Sequence, residues 1–237
     1  MRLDRYLANI GLGTRSEVRK IIKGGRVRVN SSIVDNGKKQ IKEQDDQVQV
    51  DNKIIEYQDF FYYMLNKPQG VVSATNDKIQ KTVLELLNER DCLRGLFPVG
   101  RLDKDTTGLL IITNDGKLAH QLLSPAHHVK KVYQAKIAGI VDENAVKKIA
   151  SGIMLRNGER TKGAEVQVLK LEDNCSWIKI TISEGKYHQI KRMFGALSML
   201  VIELNRIEMG SLKLDASLEE GSYRKLTDNE ILKLKEN

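Results

Sequence analysis

The sequence predicts an α+β protein with a small basic N-terminal domain and a larger domain built on a mixed, mainly antiparallel sheet. From residue 61 onwards, apolar strand segments and amphipathic helical segments are mixed, but no β-α unit repeats at constant length. Residues 1–42 show two helical patterns and then a short alternating strand, and they hold 11 Lys and Arg against 3 Asp and Glu. We therefore expect domains over residues 1–58 and 59–237.

The net charge of +8 lies entirely in this N-terminal segment, because the other 195 residues carry 28 charged side chains of each sign. A basic segment attracts polyanions by releasing counterions from a phosphate backbone, although a solvated basic face is the usual alternative. The two cysteines, Cys92 and Cys175, have no paired spacing, which fits a reducing cytoplasm. No apolar run reaches the roughly 18 residues of a membrane span. We expect a cytoplasmic protein without membrane association.

The N-terminal domain opens with two helices. Thr14 and Glu17 have the spacing of a capping box at the start of the second helix, and Gly24 and Gly25 end it. Alternation in RVRVN and DDQVQVDN predicts two strands joined by a turn over residues 31–36, and DNKIIEYQDF has the character of a connection. The first helix is indicated by apolar residues at i, i+3, i+4 and i+7: Leu3, Tyr6, Leu7 and Ile10.

In the second domain, FYYML, GLLIIT and WIKITI predict strands, with Trp177 in the core. Helices are predicted at TVLELLNER, KLAHQLL, DENAVKKIASGI and HQIKRMF. In the last of these, Ile190, Met193 and Phe194 share an apolar face, whereas Lys191 and Arg192 lie on the opposite side.

The densest cluster of unusual residues is GRLDKDTTGLLIITNDG, which begins at Gly100. A calcium loop would match Asp103 and Asp105 but needs a bidentate glutamate where Asn114 stands, so this interpretation fails. An aspartyl-phosphate enzyme has the order Asp-Lys-Thr-Gly-Thr, which Asp105 interrupts. Histidine spacing matches no metal-ligand pattern, and we expect no metal site.

Residues 1 to 50 resemble the alpha-L RNA-binding module of a small-subunit ribosomal protein, an S4-like domain. The resemblance is carried by RLDRYLA, TRSEVRKIIKGGRVRVN and VQVD. A helix-turn-helix for duplex DNA is the competing structure, but glycine at both ends and a following strand disfavour it. The resemblance implies that basic side chains of the helices contact the RNA backbone, and the candidates are Arg2, Arg5, Arg15, Arg19, Lys20 and Lys23.

Almost the whole chain resembles the pseudouridine synthases of the RsuA and Rlu type. The matching segments are LNKPQGVVSA, GRLDKDTTGLL, KVYQAKIAG, EGKYHQIKRMF and LNRIEMGSLKL, in the order of the family. The tyrosine, histidine and glutamine of EGKYHQIKRM are similar to the RsuA branch, which modifies small-subunit ribosomal RNA. The implied activity is isomerisation of one uridine to pseudouridine.

This resemblance implies roles for four residues of the second domain. Asp103 is the nucleophile, either at C1′ of the ribose or at C6 of the base, and Lys191 is its basic partner. Tyr133 stacks on the flipped uracil and takes the C5 proton, and Arg101 fills the space that the extruded nucleotide leaves or contacts a phosphate. Arg206 is a weaker basic candidate. Because the reaction involves no redox change or group transfer, it needs no cofactor.

Two alternatives stay open at this point. One is a non-catalytic RNA-binding or ribosome-assembly factor that relies on the basic module, and the other is the same chemistry on large-subunit ribosomal RNA or transfer RNA. For the leading interpretation we expect a monomer whose partner is ribosomal RNA within small-subunit precursor particles.

Overall fold

The computed structural model describes residues 1–43, 45–55, 58–92 and 95–236. Its N-terminal part packs two helices on a small antiparallel sheet of order β2-β1-β3-β4. The helices are α1 (Leu3–Asn9) and α2 (Arg15–Lys23), and the strands are β1 (Val27–Val29), β2 (Ser32–Ile33), β3 (Val48–Val50) and β4 (Lys53–Ile55). The predicted apolar faces form a core of their own.

The predicted capping box at Thr14 and Glu17 is confirmed, with Thr14 N donating to Glu17 Oε2 at 2.7 Å. Two details of this part differ from the sequence prediction. Ser32–Ile33 forms a short strand inside the predicted turn, because Asn30 and Ser31 adopt positive φ and reverse the chain early. Lys53–Ile55, predicted as connection, forms the edge strand that pairs with β3.

The second part contains a long sheet of order β13-β5-β7-β11-β8-β10-β9, with β6 beside β7 and β12 beside β11. The strands are β5 (Tyr62–Lys67), β6 (Phe97–Pro98), β7 (Thr107–Thr113), β8 (Lys131–Ala138), β9 (Glu165–Glu172), β10 (Cys175–Ile182), β11 (Leu200–Met209), β12 (Leu212–Lys213) and β13 (Tyr223–Lys225). The helices are α3 (Glu89–Cys92), α4 (Gly116–Leu123), α5 (Glu143–Ala150), α6 (Gln189–Ala196) and α7 (Asp228–Lys235).

Burial explains the two kinds of strand sequence. The unbroken apolar run of β7 is buried on both faces, because one core lies on each side of it. In β10 every second residue is buried, so only one face of this strand meets the core. Trp177 lies on the other face, half-buried, with Lys136 Nζ 5.3 Å from its ring centroid; the prediction that it belongs to the core is wrong.

One predicted helix is also wrong. TVLELLNER forms a 3-10 turn over Val83–Leu86 and then the short helix α3, because Leu87 between them is extended with φ −83° and ψ 155°. Asn88 Oδ1 accepts from Asp91 N at 2.8 Å and begins α3 separately. Within the described residues, no helix is long and apolar enough to cross a membrane.

The long sheet consists of two antiparallel halves that meet at a seam between β7 and β11. Among the described strands, β7 and β11 are the pair that runs parallel. Their pairing consists of two residue pairs, Thr107 with Asn205 and Gly108 with Arg206. Gly108 has φ +97°, and a Cβ there would overlap the Arg206 carbonyl oxygen and the Asn205 side chain. A glycine is therefore required for the two halves to approach.

Candidate active site

Asp103 lies in the loop between β6 and β7, and hydrogen bonds fix the backbone around it. Ser73 Oγ donates to Leu102 O at 2.9 Å, and Leu102 N donates to Ser73 Oγ at 3.1 Å. Thr106 N donates to Asp103 O at 3.1 Å. These hydrogen bonds hold the backbone at Leu102 and at the Asp103 carbonyl, so the position from which the Asp103 side chain extends is fixed.

A buried lysine supports the same loop. Lys67, the last residue of β5, donates from Nζ to the carbonyl oxygens of Thr106 at 2.8 Å and Pro68 at 3.0 Å. Burial lowers the pKa of Lys67 to about 8, although the negative charges of Asp105 and Asp103 oppose this shift. Lys67 was not among the residues predicted from the sequence. A lysine that ends a strand as apolar as FYYMLNK is the signal that could have found it.

The Asp103 carboxylate has a lysine and a histidine as neighbours. Lys191 Nζ, in the first turn of α6, lies 3.0 Å from Asp103 Oδ2, and His188 Nε2 lies 3.4 Å from Oδ1. Lys191 Nζ also donates to Asp105 Oδ1 at 2.5 Å. Burial lowers the pKa of Lys191, but hydrogen bonds and charge from Asp105 and Asp103 outweigh burial and leave this pKa raised. Lys191 is therefore a cation at neutral pH.

The loop before α6 is tied down by polar contacts. Gln189, almost fully buried, donates to Glu184 Oε1 at 2.6 Å and accepts from Lys186 N at 3.0 Å. His188 has φ 48°, a left-handed conformation that is uncommon outside glycine. The exposed Tyr187 ring stacks on the His188 imidazole with centroids 3.8 Å apart. These contacts hold His188 toward Asp103.

Asp103 opens into a cleft of about 620 Å³ between this loop and the sheet. Tyr133, a buried residue of β8, lines the cleft, and so do Lys191 and Arg101. Arg101 is exposed. The structure thus brings all four predicted residues of the second domain into one cleft.

The cleft also contains two buried cations, Lys131 and Arg206. Arg206 was the weaker sequence candidate, and Lys131 was missed. Lys131 precedes Tyr133 by two residues on β8, so the two side chains share a face of the sheet. This period of two is the signal that finds Lys131 from the sequence.

The six predicted RNA-binding residues of the N-terminal part lie on or beside α1 and α2, outside this cleft. Five of them are exposed, and Arg2 is half-buried. Arg2 Nη2 donates to Asp4 Oδ2 at 2.6 Å, and Arg19 Nε donates to the same oxygen at 3.1 Å. Burial raises the pKa of Asp4, but the hydrogen bonds from both arginines outweigh it and leave this pKa lowered. The buried Asp4 carboxylate thus holds the side chains of Arg2 and Arg19 in place.

The chain is similar over its full length to several known proteins. It is 44% identical to ribosomal small subunit pseudouridine synthase A of Haemophilus influenzae, with 99% of each chain covered. It is 41% identical to an uncharacterised RNA pseudouridine synthase of Bacillus subtilis, covering 100% of this chain and 99% of the relative. A crystal structure of a pseudouridylate synthase matches with a TM-score of 0.68, at 41% identity and with 99% of each chain covered.

Two family models match the chain, one in its N-terminal part and one in its second part. The S4 domain matches residues 1–48, which include α1, α2, β1 and β2 and end at the first residue of β3. The RNA pseudouridylate synthase model matches residues 61–196, which include Asp103, Tyr133 and Lys191. With more than half of its length matched by this model, the chain belongs to the RNA pseudouridylate synthase family and carries an S4 domain at its N-terminal end.

Proposed function

We propose that the chain isomerises a uridine of small-subunit ribosomal RNA to pseudouridine, with Asp103 as the nucleophile. The observation that carries this proposal is the Asp103 carboxylate, which faces Lys191 Nζ at 3.0 Å within a cleft lined by Tyr133. A carboxylate of this kind serves as a nucleophile in retaining glycosidases, which also break a bond to an anomeric carbon.

The reaction conserves every atom of the nucleotide. The N1–C1′ bond breaks, a C5–C1′ bond forms, one proton leaves C5 and one is gained at N1. Asp103 must be ionised to attack at either C1′ or C6, and Lys191 Nζ, 3.0 Å from Oδ2, supplies a positive charge beside the carboxylate. Lys191 shares its charge with Asp105, so the three side chains together carry one net negative charge when all are ionised.

The target base has to leave its stack to reach a carboxylate inside a cleft. Tyr133 suits stacking because it lines the cleft from the sheet side, and we assign it the removal of the C5 proton. We assign Arg101, exposed and two residues before the nucleophile, to the space that the flipped nucleotide vacates.

Asp103→Asn tests the nucleophile. The amide keeps the shape but cannot attack, so we expect no tritium release from RNA labelled at uridine C5. Asp173→Asn is the matched control, because Asp173 is exposed in the turn between β9 and β10 with φ 49°, a conformation that asparagine also tolerates. Unchanged release by the Asp103 variant would refute the assignment.

We further propose that residues 1–58 form the docking domain and residues 59–237 the catalytic domain. Arg15, Lys20 and Lys23 are exposed on α2 and supply positive charge to the RNA backbone. Replacing all three by glutamine should reduce the slope of log affinity against log salt by about 2. Glutamine at the exposed Lys147 and Lys148 of α5 should leave it unchanged; equal slopes in both variants would contradict the docking role.

The substrate class rests on the relatives, since those from Haemophilus influenzae and Escherichia coli are named ribosomal small subunit pseudouridine synthase A. We propose that the chain acts in the cytoplasm, as a monomer, on small-subunit precursor particles. A pseudouridine map of both ribosomal RNAs with and without the gene tests which RNA is the substrate. Loss of a large-subunit site would indicate the other RNA, and identical maps would indicate a non-catalytic assembly factor.

A further inference from the structure

Lys131 and Arg206 are two cations that the proposed chemistry does not use. Lys131 is 8% exposed and Arg206 is 2% exposed, yet both line the cleft that contains Asp103. Burying a charge is costly unless hydrogen bonds or an opposite charge compensate for it. Two such residues at one place therefore need an explanation.

Neither cation has an acidic partner among the described residues. Lys131 Nζ donates to Val129 O at 3.1 Å, and Arg206 Nε donates to Leu109 O at 2.8 Å. Arg206 Nη2 is buried and makes no hydrogen bond within the described part of the chain. Burial, and then the charge of Arg206, lower the pKa of Lys131 to about 8. Lys191 and Lys67 differ, because the first is paired with two carboxylates and the second is held by carbonyl oxygens.

Both residues lie next to Tyr133. Arg206 on β11 is the cross-strand neighbour of Tyr133 on β8, and Lys131 precedes Tyr133 by two residues on the same strand. A base stacked on the tyrosine ring would bring the edge of that base to these side chains. Their burial favours a base over a phosphate, because the phosphates of an RNA chain stay near the solvent at the rim of a cleft.

We propose that Lys131 and Arg206 bind the carbonyl oxygens of the target uracil and stabilise the negative charge that the base takes up during the reaction. This inference rests on the proposed function. If Asp103 attacks C1′, the N1–C1′ electron pair stays on uracil and spreads from N1 to O2 and O4. If Asp103 attacks C6, the C5–C6 π electrons move through C5 to O4. In both routes O4 gains charge, and in the first route O2 gains charge as well, so donors fixed at these oxygens lower the barrier.

The same donors give a reason for selecting uracil. Uracil presents a carbonyl acceptor at C4, whereas cytosine presents an amino group there, which would place donor against donor. Such a mismatch leaves a buried cation without a partner and is strongly disfavoured.

The test uses full-length enzyme and small-subunit ribosomal RNA transcripts in single-turnover assays. Lys131→Met and Arg206→Gln should each lower the rate of pseudouridine formation about 100-fold, with RNA affinity within about twofold of wild type. Lys131→Arg and Arg206→Lys keep the charge and should recover part of the rate, which a merely structural role does not predict. Wild-type rates in both neutral variants would overturn the inference.

Modified transcripts add a measurement on the wild-type enzyme, which does not depend on whether a variant folds. Sulfur is a poor hydrogen-bond acceptor, so transcripts with 4-thiouridine in place of uridine should slow the wild-type enzyme about tenfold or more and slow Lys131→Met much less. Phosphorothioate at the phosphate 5′ to each uridine should leave the wild-type rate within about twofold. If phosphorothioate slows the wild-type enzyme and 4-thiouridine does not, Lys131 and Arg206 form a phosphate site and the inference is refuted. Wild-type enzyme inactive on every ribosomal RNA would refute the proposed function itself, and this inference with it.

Discussion

Gly108→Ala is the substitution that tests how the two halves of the long sheet are joined. The left-handed φ of +97° costs a non-glycine residue about 1–2 kcal/mol. The added methyl group also overlaps backbone of Arg206, and overpacking of this kind costs about 1–3 kcal/mol. We therefore expect the free energy of unfolding to fall by about 2–5 kcal/mol, a large part of the stability of a typical domain. Urea denaturation followed by circular dichroism measures this loss.

Two other glycines separate the causes. Gly158 has φ +80°, and no atom lies within 4 Å of the position that an alanine methyl group would take, so Gly158→Ala should lose only the backbone component of about 1–2 kcal/mol. Gly116, the first residue of α4, has neither constraint, and alanine there should be neutral or slightly stabilising. If Gly108→Ala loses no more than Gly158→Ala, the steric reasoning at the seam is wrong.

Two further predictions concern pH. The pKa of Lys67 is about 8 in the folded protein, whereas its ordinary value is 10.5. Between these values the unfolded chain binds more protons than the folded one, so the free energy of unfolding should rise with pH across this window by about 3 kcal/mol. Denaturation at pH 8 and pH 10 should show a smaller rise in Lys67→Met; equal rises contradict the reasoning. Arg224 hydrogen bonds lower the pKa of Glu230 to about 2, so its stabilisation is present above about pH 4.5 and disappears as the pH falls toward 2. Glu230→Gln should be less stable than wild type by about 1–2 kcal/mol at pH 7 but not at pH 2, and a difference that persists in acid argues against this ion pair.

Strands and capped helices could be predicted because their signals are local. The run GLLIIT is apolar at nearly every position, and β7 is buried on both faces; KITI alternates, and β10 is buried on one face. Thr14 and Glu17 form the capping box of α2 that their spacing predicts. TVLELLNER misleads because tertiary contacts of Leu87 override a helical pattern.

The site could be predicted only in part. Family resemblance predicted Asp103, Tyr133 and Lys191, but it did not predict the residues that hold them in place, such as Lys67. The seam between β7 and β11 joins residues about 100 positions apart, and no local pattern encodes a parallel contact of two residue pairs. For the same reason, the sequence gives no sign that Lys131 and Arg206 lie together beside Tyr133, because this requires β8 and β11 to be paired.

If RNA binds in the cleft as we propose, the seam should make it a stabilising ligand of the fold. Asp103 belongs to the half that contains β7, whereas Tyr133 and Arg206 belong to the half that contains β8 and β11. A uridine in the cleft would contact both halves at once and would therefore bind only when they are docked. By linkage, each tenfold excess of RNA over its dissociation constant adds about 1.4 kcal/mol against separation of the halves. We therefore expect substrate RNA to hold together the two halves of the sheet that positions it.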